Sequence, residues 1–96
     1  MRRTRKDTGT ISRFAREVFK LMAKAFVFIN VDSGAENEVL KQLRALSEVK
    51  ESYSVYGVYD IVAILETNSM DQLKEAIGRK VRTMNRVRST LTTIVT

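Results

Sequence analysis

The 96-residue chain carries 17 basic and 11 acidic residues, a formal net charge of +6, and has neither cysteine nor histidine. That composition excludes disulfides, thiolate metal sites, Ser–His and Cys–His catalysis, and the common zinc and copper ligand sets. The charge is uneven: residues 1–21 hold seven basic and two acidic groups, whereas the remainder holds ten and nine and has no overall nucleic-acid signature.

In chain order, residues 1–22 read as a basic extension and 23–96 as one domain, which the length allows. Met1 to Thr10 is polar and charged. From Ile11, the spacing of Phe14, Ala15, Val18, Phe19 and Met22 predicts a short amphipathic N-terminal helix, with Thr10 or Ser12 as its cap. The extension has no long apolar run, so neither a secretory signal nor a membrane span is expected, and a soluble cytoplasmic protein is.

Ala25 to Val31 is rich in β-branched and aromatic residues and predicts a first strand. Ser33 and Glu36 then match the Ser-x-x-Glu capping box, and Val39, Leu40, Leu43 and Leu46 give a helix one apolar face. Val49 to Tyr56 predicts a second strand with Val49, Glu51, Tyr53 and Val55 on one side. Gly57 interrupts it, and Tyr59 to Glu66 follows as a third strand. Ser69 to Gln72 repeats the capping pattern, Met70, Leu73, Ala76 and Ile77 supply a second helical face, and Val87 to Val95 closes the chain as a fourth strand.

This order is βαββαβ, the ferredoxin-like plait of the α+β class, with both helices on one face of an antiparallel sheet. Strands one and three are apolar on both sides, Phe26 and Phe28 opposing Val27 and Ile29, and Val62 and Ile64 opposing Ile61 and Ala63. Two helices cover one face only, and soluble monomers rarely leave the other bare. Either a second copy packs sheet to sheet or the N-terminal helix folds over it.

The chemistry concentrates in Tyr53 to Asp60. Gly57 suits a turn or a close approach, and Asp60 is a lone carboxylate between aromatic residues and an apolar strand. Asp60 meets either a backbone amide of a turn or a cationic group on a ligand. Thr90 and Thr92 share a face of the last strand, as β-formers or as hydroxyls beside a site. Arg79, Lys80, Arg82, Arg86 and Arg88 read either as a solvated helix end or as an anion site.

Tyr56-Gly57-Val58-Tyr59-Asp60, the apolar strand ending in Glu66, and the closing Thr90 to Val95 resemble the effector-binding module of the Lrp/AsnC transcriptional regulators, the RAM domain. The resemblance covers about residues 24–96. It implies a homodimer whose sheets face each other as an α/β barrel, octamer-like rings of dimers, and an amino-acid effector bound between dimers. It implies further that Gly57 lets the ligand near the backbone, that Asp60 meets its ammonium group, and that Tyr56 or Tyr59 walls the site. Thr90 and Thr92 would serve the carboxylate or side chain.

Full-length members carry a helix-turn-helix before the module, which residues 1–21 are too few to hold. The chain resembles the stand-alone form, expected to act with full-length regulators rather than by reading DNA sequence itself. No cofactor is implied. Two competing functions are a small dimeric-barrel enzyme, disfavoured by the lack of histidine, and a nucleic-acid accessory protein using the basic extension.

Overall fold

A computed structural model describes residues 22–96. The expected N-terminal helix lies outside them. The described elements are β1 (Ala23–Val31), α1 (Glu36–Arg44), β2 (Val49–Ser54), β3 (Ile61–Thr67), α2 (Met70–Glu75), a π-helical continuation over Ala76–Val81, and β4 (Val87–Ile94). The sheet runs β2-β3-β1-β4 with every neighbouring pair antiparallel. The ferredoxin-like plait is therefore the fold, and the doubly apolar strands β1 and β3 are its two central ones.

Alternation sorts the strands cleanly. Ala25, Val27 and Ile29 of β1 and Ile61, Ala63 and Leu65 of β3 are fully buried, and form one core with Val39 and Leu43 of α1 and Leu73, Ala76 and Val81 beyond β3. Burying each large aliphatic chain is worth about 1.5–3 kcal/mol, which is what fixes the register: a slip by one residue would expose the whole set. Among the described residues no helix lies on the opposite face. Phe26, Phe28, Val62 and Ile64 are only half-buried there, and Leu91 and Tyr53 are 49% and 50% exposed.

Four local expectations need correction. The first capping box does not form: α1 begins at Glu36 after Ala35, with no side-chain cap. Residues 32–35 instead make a tight turn in which the Ala35 N–H donates to the Asp32 carbonyl at 2.9 Å. Gly34 supplies the turn's positive φ of 81°, and this carries Ser33 away from the cap position. The second box is half right, because Ser69 Oγ accepts from the Gln72 N–H at 3.2 Å while Gln72 Oε1 accepts from Asn68 rather than Ser69. Met70, expected on the buried face of α2, is 40% exposed.

The fourth correction concerns β2, which ends at Ser54 and carries a bulge. Val49 pairs with Leu65 and Glu51 with Ile64, which leaves Lys50 as an extra residue. The bulge reverses the phase. Val49 packs against the helical core and Ser52 is buried, while Glu51 and Tyr53 stand on the open face. Val49 therefore does not share a side with Glu51 and Tyr53.

Candidate functional site

The β2–β3 connection is built by continuing the ladder with substitutes. Beyond the Ser54–Ile61 pair, the Val55 N–H donates to the Asp60 carbonyl at 2.9 Å, which closes a loop of Tyr56, Gly57, Val58 and Tyr59. Asp60 also extends the β1–β3 pairing. Its N–H donates to the Ile29 carbonyl at 3.0 Å, and its Oδ2 accepts from the Val31 N–H at 3.0 Å. The carboxylate thus takes the place of the carbonyl that a longer β3 would have offered. Of the two roles open to Asp60, the capping of a backbone amide is therefore filled. Among the described residues Oδ1 has no hydrogen bond and remains for a second partner.

Gly57 has a φ of 147°, a region side-chain-bearing residues rarely adopt, and a Cβ built there would meet nothing within 4 Å. Glycine is thus needed for the backbone path and not for room inside this chain. Tyr56 is fully exposed and Val58 is 84% exposed, so the loop tip presents two bare apolar side chains. Tyr59 points the other way, its ring 5.7 Å from that of Phe28 on the open face of the sheet.

Tyr56, Gly57 and Asp60 line a depression of about 410 Å³ together with Glu36, Ser54 and Val55. Two carboxylates in one small depression favour a cationic group such as an ammonium. Glu36 escaped the sequence reading because its spacing from Ser33 gave it another role. Ser54 and Val55 were hidden inside a strand drawn two residues too long.

Thr90 and Thr92 lie elsewhere. They pair with Ile29 and Val27, on the edge strand β4, and line a separate depression of about 560 Å³ with residues of α2 and the π turn. A single chain therefore brings Tyr56, Gly57 and Asp60 together, turns Tyr59 onto the open sheet face, and keeps the two threonines apart from both.

Two ionisable groups are displaced from their ordinary behaviour. Glu48 is held below 4.5, first by its hydrogen bond from Lys80 at 2.6 Å. The Tyr53 hydroxyl is raised above 10.0 by donating to the Glu51 carboxylate on the open face. Among the described residues no cluster of acidic side chains could hold a metal ion, and no helix is long and apolar enough to cross a membrane.

The fold has known counterparts. The Lrp/AsnC ligand binding domain family matches residues 24–96. The chain belongs to that family. Among solved structures, FFRP-DM1 is 38% identical with a TM-score of 0.75, over 77% of this chain and 99% of its own. A hypothetical protein from Pyrococcus horikoshii is also 38% identical, with a TM-score of 0.74, over 77% and 89%. A feast or famine regulatory protein from M. tuberculosis, complexed with L-methionine, is 26% identical with a TM-score of 0.67, over 92% and 70%. Comparison with curated proteins found no match.

As an Lrp/AsnC ligand-binding domain, the chain has its family's plait in full, and the loop from Tyr56 to Asp60 falls inside the matched region. The family is one of transcription regulators.

Proposed function

We propose that this chain is a non-enzymatic, homo-oligomeric module that binds a free amino acid at the β2–β3 loop and acts in cytoplasmic transcriptional regulation alongside full-length Lrp/AsnC regulators. The observation that carries the reading is the depression in which Asp60 and Glu36 stand beside Gly57 and Tyr56. Asp60 Oδ1 is placed to take the α-ammonium group while Oδ2 keeps the Val31 amide. The methionine complex of the M. tuberculosis relative supports the ligand class.

Assembly supplies what one chain lacks. The open face, with Phe26, Phe28, Val62 and Ile64 half-buried, is covered by the sheet of a second copy, giving a dimeric α/β barrel. Tyr56, bare at the loop tip, is covered where dimers meet in a ring. At that junction Thr90 and Thr92 of a neighbouring copy reach the ligand's carboxylate or side chain, and Tyr59 braces the loop from the barrel side.

The test is calorimetric titration of amino acids into wild type and Asp60→Asn. A charge-assisted hydrogen bond contributes roughly 1.5–3 kcal/mol, so the substitution is expected to weaken binding by about ten- to a hundredfold. A folded Asp60→Asn protein that binds as tightly as wild type would place the site elsewhere.

A further inference from the structure

The basic residues of the C-terminal third fall into two sorts. Lys80 is paired with Glu48 at 2.6 Å, and Arg86 with Asp32 at 3.0 Å and Glu38 at 3.9 Å. Lys74, Arg79, Arg82 and Arg88 make no ion pair among the described residues, and all of these but Arg79 line the depression of about 560 Å³ between α2 and β4. No carboxylate stands in that wall among the described residues. Thr90 and Thr92 add hydroxyls, and at Gly78 even an added Cβ would meet nothing within 4 Å, so the wall there is open.

Two departures from regular backbone deliver the arginines. The helix following β3 loosens into a π turn over Ala76–Val81, where the Arg82 N–H reaches back five residues to the Ile77 carbonyl at 2.9 Å. One extra residue in a turn rotates the succeeding side chains by about 100° relative to a continuing α-helix, and such turns recur at functional sites. On the facing strand, Asn30 pairs with Ser89 but Val31 pairs with Val87, which makes Arg88 the extra residue of a bulge. Bulges re-aim side chains and also recur beside sites. A regular helix and an even ladder would have been the default, and both irregularities border this one depression.

We propose that this depression is a second ligand site, taking a compact anion with two or more negative charges, a phosphoryl group or a dicarboxylate. Arg82 and Arg88 present planar forks suited to bidentate contact with either oxyanion, Lys74 adds a point charge, and Thr90 and Thr92 add hydroxyl donors. The site uses none of the residues around Asp60 and asks for a second negative charge that the lone carboxylate of a free amino acid does not supply; it shares with the amino-acid reading only the wall residues Thr90 and Thr92.

The test is an NMR titration of the labelled full chain with inorganic phosphate and, separately, with succinate, against sodium chloride of matched ionic strength. The expected result is saturable movement of the Gly78, Arg82 and Ser89 amide signals by one of the two. In the Arg82→Gln/Arg88→Gln protein, whose own spectrum reports its fold, the affinity falls by at least tenfold, roughly what loss of one charge-assisted bond gives. Arg88→Gln alone shows a smaller loss of the same kind. Tighter binding of phosphate assigns a phosphoryl ligand, and tighter binding of succinate assigns a dicarboxylate. Movement that does not saturate, that maps to residues 1–21, or that keeps its affinity in the double variant overturns the proposal.

Discussion

Replacing Asp60 separates its two duties. The Val31 amide it caps belongs to a residue that is 3% exposed, so water cannot take over as acceptor. In Asp60→Ala the amide loses its acceptor, at a cost of about 1–3 kcal/mol. Asp60→Asn keeps an amide oxygen that can sit where Oδ2 sits, so its cost is about 0.5–1 kcal/mol, the difference between a charged and a neutral acceptor. For a domain of this size 1 kcal/mol moves the melting midpoint by roughly 4–8 °C. Asp60→Ala is thus expected to melt about 5–20 °C below wild type, with Asp60→Asn within about 8 °C. Thermal melts followed by circular dichroism, at one fixed protein concentration because oligomers melt concentration-dependently, give the comparison. Equal midpoints for all three proteins would refute the claim that the carboxylate holds β1 to the loop. An Asp60→Asn protein as unstable as Asp60→Ala would refute the claim that the carboxamide can substitute.

Phe28→Asp places an unpaired charge on the open face, a cost of several kcal/mol if that face is buried between copies. Sedimentation is expected to show dissociation at concentrations where wild type is assembled. Gly57→Leu forces a side chain onto a φ of 147°, a strain of about 1–3 kcal/mol, and is expected to lower amino-acid affinity while the dimer persists. The Glu48–Lys80 pair gives a pH signature. Because Glu48 is depressed in the folded state, its stabilising effect is present above its unfolded value and fades as pH falls through the folded one. In Lys80→Met the Glu48 carboxyl, followed by NMR, is expected to titrate closer to 4.5. Deleting residues 1–21 is expected to leave folding and assembly intact, checked by circular dichroism and sedimentation. An insoluble or monomeric product would make the extension part of the domain.

The plait was legible because strand and helix periodicities stand far apart along most of the chain. Strands such as Ala25 to Ile29 and Ile61 to Leu65 are apolar on both sides, which marked them as central and pointed to an open face in need of cover. What was not legible depended on single-residue irregularities. Lys50 sits in a bulge that no composition marks, and with it the side assigned to Val49 went wrong. Ser33 and Glu36 have capping-box spacing, but a turn through Gly34 claims the residues between them. The π turn likewise keeps ordinary helical residues, Ala76 to Val81. At the site, the glycine and the carboxylate were visible as residue types out of keeping with their neighbours. That Asp60 already bonds Val31 depends on two strands meeting across the sheet, which one strand's sequence does not contain. Thr90 and Thr92 were grouped with the loop on resemblance, and the sheet order places them at the edge beyond β1.

The most direct test of the central claim is the mass of the full chain in solution, measured by sedimentation equilibrium at micromolar protein with and without a mixture of the standard amino acids at millimolar concentration. The account predicts at least a dimer without ligand and a larger assembly, or a tighter one, when an effective amino acid is present. A well-folded monomer whose mass is the same with and without the mixture would contradict it.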